Sequence, residues 1–132
     1  MGPNGHIFVA DTFNRRVRKL TPKGDVTTVA GSGMVGSKDG MGTAAEFYFP
    51  YGIVVDGKGT IYVADTYNHR LRRISTAGVV TTLAGSTAGH VDGVGATAKF
   101  NYPYGIALAG NGVLYVADRD NNRIRKVLLN GK

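Results

Sequence analysis

A thirteen-residue motif occurs three times along this chain and restricts the folds that the chain can adopt. It reads FVADTFNRRVRKL at residues 8–20, YVADTYNHRLRRI at 62–74 and YVADRDNNRIRKV at 115–127. The step between copies is 54 and then 53 residues, and the segments VTTVAG (26–31) and FYFPYGI (47–53) return at 80–85 and 100–106. Several landmarks that recur in register are the sequence signature of a repeat architecture.

One period contains four short segments with the composition of β-strands. In the second period they are YGIVVD (51–56), TIYVAD (60–65), RLRRI (70–74) and VVTTLAG (79–85), with tight turns between them and a longer Gly-rich loop after the last. Four antiparallel strands in a repeat of about fifty residues are typical of a β-propeller blade. We therefore predict an all-β chain with about ten strands and almost no helix.

The repeated unit resembles the NHL repeat. The resemblance rests on Pro-x-Gly-Ile, on Gly-x-(Ile/Leu)-Tyr-Val-Ala-Asp-x-x-Asn-x-Arg-(Ile/Leu)-Arg-(Lys/Arg), and on Asp-Gly-x-Gly-x-x-Ala-x-Phe before the proline. It covers essentially the whole chain and implies an NHL-type β-propeller of the long type, with a repeat of about 53 residues. We expect about 2.5 to 3 four-stranded blades. Strands two to four of one blade fall in residues 1–50, a full blade in 51–103, and strands one to three of another in 104–132.

Each motif places an aspartate and an arginine on either side of a hairpin turn that contains an asparagine. Residues that flank such a turn face each other across the strand pair, so we expect a charge-assisted bond between them. Asparagine tolerates left-handed backbone in a turn or caps it. The predicted structural clasp comprises Asp11, Asn14, Arg16, Asp65, Asn68, Arg70, Asp118, Asn121 and Arg123. A repeated anion site is the alternative interpretation.

Further basic residues recur on the third strand of each predicted blade. We expect them to cover apolar neighbours with their stems, keep their charges in water and discourage edge pairing. The residues are Arg18, Lys19, Arg72, Arg73, Arg125 and Lys126. A nucleic-acid surface is the alternative, and the net charge of +7 permits acidic partners.

Strand alternation predicts which face binds a ligand. It places the turns between second and third strands on the same face as the loops 31–50 and 85–103, and binding surfaces prefer longer loops on a rigid scaffold. Tyr51 and Tyr104 should stand near the mouth of the central channel, either as an aromatic lip for a ligand or as packing that seals the entrance. The predicted binding face comprises Arg15, Tyr51, His69, His90, Tyr104, Arg119 and Asn122. Arg119 and Asp120 replace the Thr-aromatic pair of the other copies.

The composition argues against several kinds of chemistry. There is no Cys, so there is neither a disulfide nor a thiolate metal site. Two His on one face lack a third ligand, and each Asp-Gly-x-Gly loop offers one carboxylate, too few for a calcium site. We predict no catalytic residue, no metal and no cofactor. No apolar run has transmembrane length, so no membrane insertion is expected, and the compartment is not indicated.

These features predict a non-enzymatic binding and scaffolding module, with a protein or peptide as partner. An RNA-binding propeller with a basic face is the first alternative, and a fragment of a propeller lyase or hydrolase is the second. A propeller closes with about four to eight blades. We therefore expect either part of a longer propeller chain or a homo-oligomer, most simply a dimer.

Overall fold

A computed structural model of the chain describes residues 2–110 and 112–129. Within these ranges it contains β-strands and short 3-10 turns but no α-helix, so the predicted all-β class is confirmed. The strands are β1 (Ile7–Asp11), β2 (Arg16–Leu20), β3 (Val26–Ala30), β4 (Gly40–Met41), β5 (Ile53–Val55), β6 (Ile61–Asp65), β7 (Arg70–Ile74), β8 (Val79–Gly85), β9 (Pro103–Ala109), β10 (Val113–Asp118) and β11 (Arg123–Leu128).

The strands form three antiparallel sheets that correspond to three consecutive blades. The first has the order β1-β2-β3, the second β4-β8-β7-β6-β5, and the third β11-β10-β9. In each sheet the strand of the VAD segment pairs with the basic strand, so that Asp65 lies opposite Arg70 and Asp118 opposite Arg123. The blade strands therefore follow the repeated motif.

The middle sheet has five strands where the sequence predicts four. The additional strand, β4, belongs to the long loop of the first repeat, and it pairs with β8 through Gly40↔Val80 and Met41↔Val79. An outer strand without a neighbour exposes a row of unpaired backbone groups. The loop covers that edge and thereby ties the first repeat to the second blade.

The hydrophobic core lies between the blades. One cluster joins Val17 and Ala30 of the first blade to Ile61 and Val63 of the second, with Phe47 of the long loop among them. A second cluster occupies the equivalent place between the second and third blades, where it includes Leu71, Phe100 and Val116. All five residues of β6 are buried, because this strand has a blade on either side.

The structure corrects the arginine of the predicted clasp. Each aspartate pairs with the second arginine of the basic strand, not with the first. The pairs are Arg18–Asp11 at 3.0 Å, Arg72–Asp65 at 2.8 Å and Arg125–Asp118 at 2.8 Å. The turn asparagines donate to the same carboxylates, from Asn14, Asn68 and Asn121 at 3.0, 2.8 and 2.7 Å. The second arginine is a diagonal neighbour of the aspartate, and a long side chain reaches that far.

The first arginines have a different role. Arg16 donates to the carbonyl of Ser32 at 2.9 Å, and Arg70 donates to that of Ser86 at 3.3 and 3.4 Å. These carbonyls follow the fourth strand of their blades. Arg16 and Arg70 therefore hold the outer strand in place. Arg123 donates to the carbonyl of Asn121 at 3.4 Å.

Arg72 also contradicts the expectation of a solvated basic strand, because its side chain is completely buried. It donates to the carbonyls of Glu46 and Lys38 and to the carboxylate of Asp39, and it lies 5.1 Å from the ring centroid of Phe47. The same set of contacts recurs around Arg125 of the third blade, which is nine-tenths buried. The repeated arginine thus locks each blade to the loop that enters it.

Candidate binding face

The hairpin turns that follow the VAD segments build one face of the molecule. Each is a 3-10 turn, Thr12–Asn14, Thr66–Asn68 or Arg119–Asn121, and each ends in a left-handed residue, Arg15, His69 or Asn122. The backbone N–H of Tyr67 donates to the carbonyl of Tyr48 at 3.0 Å, and that of Asp120 donates to Asn101 at 3.0 Å. The turns therefore contact the long loops, as strand alternation predicts.

A threonine connects each of the first two turns to the next blade. The hydroxyl of Thr12 donates to the carbonyl of Pro50 at 2.7 Å, and that of Thr66 donates to Pro103 at 2.6 Å. Arg119 occupies this position in the third turn. The left-handed residue that ends the third turn nevertheless has φ 56° and ψ 40°, close to the second turn, so the substitution leaves the turn conformation intact.

Aromatic rings cross this face as a continuous row, which we call the aromatic belt. Turn and loop alternate along it, and neighbouring ring centroids are about 5 Å apart, within the range of favourable aromatic contacts. The contacts are Phe13–Phe49 at 5.3 Å, Phe49–Tyr67 at 5.1 Å and Tyr67–Tyr102 at 5.0 Å, with Tyr48 between Phe49 and Tyr67 and with His69 beside Tyr102 at 4.5 Å. Most of these pairs meet edge to face.

Two belt residues have an unfavourable backbone conformation. Phe49 and Tyr102 occupy equivalent positions in consecutive repeats, each directly before a proline, and their φ angles are 50° and 53°. Positive φ is uncommon for a bulky residue, and the residue before proline prefers extended backbone. Such strain persists only where the surroundings hold it, and it clusters at functional sites. Here it directs two rings into the belt.

Tyr51 and Tyr104, which are predicted to stand near the channel mouth, contact each other. The ring centroids of Tyr51 and Tyr104 are 4.5 Å apart. The guanidinium of Arg119 lies 4.5 Å from the Tyr104 centroid and 5.6 Å from that of Tyr102, and so connects this pair to the belt. At the opposite end Arg15 lies 5.0 Å from the Phe49 centroid. All three are cation–π contacts.

The face includes a histidine, His69, at the end of the second turn. Its Nδ1 accepts a hydrogen bond from the backbone N–H of Tyr102 at 3.1 Å, which requires this nitrogen to be unprotonated. Burial lowers the pKa of His69; the charges of Asp120 and Asp118 act in the opposite direction, and that of Arg70 lowers the pKa further. The neutral ring therefore fixes the loop at the position of Tyr102.

Not every predicted residue joins this arrangement. Arg15, Tyr51, His69, Tyr104 and Arg119 belong to the belt or cap it, whereas His90 lies away from it, beside β11. Asn122 is exposed at the end of its turn. Three belt residues are not predicted from the sequence as site residues, namely Tyr48, Phe49 and Tyr102. The available signal was an aromatic residue directly before the proline in both copies.

In the part of the chain that the structure describes, no group of three or more His, Asp or Glu side chains is arranged to hold a metal ion. No helix in residues 2–110 and 112–129 has the length and apolarity needed to cross a membrane.

The architecture and the face define three consecutive blades of a repeat-built β-propeller, each blade docked by its turn on the loop that enters the next. The chain belongs to the NHL-repeat family, whose model matches residues 47–74 and 100–127. The resemblance drawn from the repeated motif is thus confirmed.

Relatives in sequence lead to the same family. The chain is similar to Protein SUPPRESSOR OF QUENCHING 1, chloroplastic, of Arabidopsis thaliana, with 37% identity over 98% of this chain and 14% of that protein. It is also similar to NHL repeat-containing protein 2 of Bos taurus, with 35% identity over 99% of this chain and 20% of the relative. The chain therefore spans a fifth or less of these two relatives.

Solved structures share the fold over most of the chain. A protein of unknown function from Bacteroides thetaiotaomicron has 33% identity and a TM-score of 0.85, over 92% of this chain and 32% of its own. An auxiliary nutrient binding protein from the same organism has 26% identity and a TM-score of 0.82, with coverage of 92% and 34%. Virginiamycin B lyase from Staphylococcus aureus, at 18% identity and a TM-score of 0.67, shares the fold alone.

Proposed function

We propose that this chain is a non-enzymatic binding and scaffolding module that takes a protein or peptide on the long-loop face. The observation that carries the proposal is the aromatic belt. It joins side chains from three blades into one surface, and its contacts hold Phe49 and Tyr102 in a strained backbone conformation.

The composition of the face suits a polypeptide partner. Aromatic residues and arginine are enriched at protein interfaces, where they act as rigid anchors. Phe13 is 73% exposed at one end of the belt. Arg15 lies near this end, against Phe49, and Arg119 lies at the other end, against Tyr102 and Tyr104. The apolar rings can contact apolar side chains of an extended peptide. The two arginines can donate hydrogen bonds to its backbone carbonyls.

The geometry of the rings favours a peptide over RNA. Single-stranded nucleic acid binds by stacking its bases on free aromatic faces. The interplanar angles along the main row are 77°, 82° and 82°, so the edge of one ring covers the face of the next. Guanidinium groups cover further faces at Phe49 and Tyr104.

RNA binding is the second candidate function. It is supported by the net charge of +7 and by arginines that lie among aromatic rings on one face. Because phosphate contacts release counterions, the affinity of such a complex falls steeply with salt concentration. Absence of binding to labelled single-stranded RNA at low salt would remove this candidate.

A binding module is supported by the family and by one similar structure. NHL repeats and an auxiliary nutrient binding protein are among the similar proteins. The lyase shares only the fold, and a fold alone does not imply an activity. An enzyme fragment therefore has the least support.

A peptide selection tests the proposal. Peptides are selected from a random display library on the immobilised 132-residue chain, and the affinity of the strongest is measured by calorimetry. Phe13→Ala should weaken binding by about tenfold or more, because an exposed anchor is lost. The matched control is Val26→Ala, which truncates an apolar residue that is 54% exposed outside the belt. Peptides that bind both variants equally well would place the site elsewhere.

A further inference from the structure

A cleft between the first and second blades opens on the face opposite the aromatic belt. Its volume is about 390 Å³. The first blade lines it with the turn Pro3–Gly5 and with residues of β1, β2 and β3, and the second blade lines it with residues 58–59 and 75–78. These turns lie at the strand ends that point away from the belt. The cleft is therefore separate from the face that carries the proposed function.

Both walls of the cleft consist of paired strands and closed turns. In the first blade β2 lies between β1 and β3. The turn before β1 is closed by a hydrogen bond from the N–H of Gly2 to the carbonyl of His6 at 2.8 Å. The turn between β7 and β8 is closed by one from the N–H of Gly78 to the carbonyl of Ser75 at 2.9 Å. The cleft is thus a space between two blade faces and not the position of a strand.

Lys19 lines the cleft from the first blade. It lies opposite Phe8 on one side and opposite Thr27 on the other, and residues that are directly opposite on paired strands share one face of the sheet. Val17, two residues earlier on the same strand, is packed in the core between the two blades. Because side chains alternate along a strand, Lys19 is also turned toward the second blade, where it is half-buried.

Lys58 lines the cleft from the second blade, in the turn between β5 and β6. The carboxylate of Asp56 accepts the backbone N–H groups of Lys58 and Thr60, each at 2.9 Å, and so fixes this turn. No ion pair within residues 2–110 and 112–129 involves Lys19 or Lys58. No Asp or Glu of the described ranges lines the cleft. Two lysines therefore border a space that has no compensating carboxylate.

Backbone donors add to the positive character of the second wall. The hydrogen bonds within the turn that joins β7 and β8 come from the N–H groups of Ser75, Gly78 and Val79. In the described chain this leaves the consecutive N–H groups of Thr76 and Ala77, which line the cleft, available to a ligand. Consecutive backbone N–H groups in a turn form a concavity that binds anions.

We propose that this cleft binds a small soluble molecule that carries a phosphate group. Lysine binds phosphate as a point charge, and here Lys19 and Lys58 approach it from opposite walls. The N–H groups of Thr76 and Ala77 and the hydroxyl of Thr27 donate to the remaining oxygens. A phosphate group has up to two negative charges and three acceptor oxygens, which matches two cations and several donors better than a carboxylate does.

The size and the floor of the cleft restrict the rest of the ligand. The volume of about 390 Å³ is near the lower end of the range for small-molecule sites, so the ligand is small. Phe8 and Ile61 provide apolar contacts within a lining that is otherwise mostly polar. A short hydroxylated carbon chain attached to the phosphate fits these surroundings.

A titration with glycerol 3-phosphate tests the site. The compound is added to the 132-residue chain, and binding is followed by calorimetry and by the chemical shifts of backbone amides. We expect saturable binding of one molecule per chain, with the largest shifts at residues 58–59 and 75–78. Glycerol, which lacks the phosphate, should not bind. Succinate, which carries two carboxylates, should bind about tenfold more weakly or worse.

Protein variants locate the site. Lys19→Gln and Lys58→Gln should each weaken the binding of glycerol 3-phosphate about tenfold, since each removes one charged contact. The matched control is Lys23→Gln, which removes the same charge from an exposed turn on the same face, outside the cleft, and should leave the affinity within about twofold. The melting temperature shows that each variant is folded, and Lys58 is exposed, so its substitution leaves the fold intact.

Three results would overturn the proposal. The first is the absence of saturable binding of glycerol 3-phosphate up to about 10 mM. The second is an equal affinity for glycerol or for succinate, because the phosphate would then not be recognised. The third is an equal loss of affinity in Lys23→Gln and Lys58→Gln, because binding would then depend on net charge and not on the cleft.

Discussion

At the scale of single residues, Arg72 connects parts of the chain that are distant in sequence. It is fully buried and binds the carboxylate of Asp65, at the end of the neighbouring strand, and that of Asp39, in the loop of the preceding repeat. Complete burial raises the pKa of Asp65, and the charge of Arg72 and hydrogen bonds from Asn68 and Tyr48 oppose that rise. The carboxylate depends on these partners because water does not reach it.

Removal of the Arg72 side chain should therefore strongly destabilise the fold. Arg72→Ala leaves the buried carboxylate of Asp65 without its counter-charge, and we expect a loss of about 3–5 kcal/mol in the free energy of unfolding. Arg70→Ala, on the same strand, removes only long hydrogen bonds to one carbonyl and should cost about 1 kcal/mol. Chemical denaturation compares the two. A cost for Arg70→Ala that equals or exceeds that of Arg72→Ala would contradict the pairing in the structure.

The stability of the fold should depend on pH through His69. Burial lowers its pKa in the folded state below the ordinary value of about 6.5. The unfolded chain then binds more protons than the folded chain just below that pH, so stability decreases as the pH falls through this range. Protonation of Nδ1 also breaks the bond from the Tyr102 N–H.

The variant His69→Asn provides the comparison for this pH effect. Asparagine tolerates the left-handed conformation and occupies it naturally at Asn122. When the pH is lowered from 7.5 to 5.5, we expect the melting temperature of the unaltered chain to decrease more than that of the variant. Equal decreases in both proteins would show that His69 is not responsible.

At the scale of elements, the sequence predicts the strands and turns that are determined by residues within a single repeat. Strands such as β6 and β7 and the turn between them follow from an apolar run, a polar turn and an alternating segment. The strand β4 did not follow, because Gly40 and Met41 form a strand only against β8 of the next blade. The predicted partner of Asp65, Arg70, was also wrong because of contacts outside the repeat. Arg72 is held beside Asp65 by the loop carbonyls of Glu46 and Lys38. Contacts between repeats leave no periodic signal within one repeat.

The aromatic belt and the residues that cap it could be predicted only in part. Some of them lie at loop ends and either recur or differ between the repeats, namely Tyr51, Tyr104, Arg119 and His69. The positive φ of Phe49 cannot be read from the residue before a proline, where extended backbone is the ordinary expectation.

Substitution of Thr66 tests how much the hydrogen bond between the second turn and the third blade stabilises the fold. Its buried hydroxyl donates to the carbonyl of Pro103 and joins the second turn to the third blade. Thr66→Val keeps the shape but removes the donor, and we expect a loss of about 1–3 kcal/mol in the free energy of unfolding. Thr66→Ser retains the hydroxyl and should recover most of this loss. If the serine and valine variants unfold at the same denaturant concentration, the hydrogen bond is not the source of the stability.

At the scale of the whole molecule, the same strand differs in burial according to its neighbours. The five residues of β6 are all buried, whereas the equivalent β1 of the first blade leaves Ile7 and Val9 44% and 43% exposed. On the third blade Tyr115 is 44% exposed. The two outer blades therefore present apolar faces of the kind that pack against another blade within the core.

These faces predict that the 132-residue chain associates in solution when it is isolated. Burial of apolar surface between blades is favourable in proportion to its area, and a ring of about four to eight blades is the closed form of the fold. Light scattering should give a mass above that of the monomer, with a dimer as the simplest product. Val9→Lys should shift the protein towards monomer, because a charge on this face opposes burial, whereas Thr76→Lys, in an exposed turn, should not. A cooperative monomer whose mass is unchanged with concentration would contradict the prediction, because its outer blades would be stable without a partner.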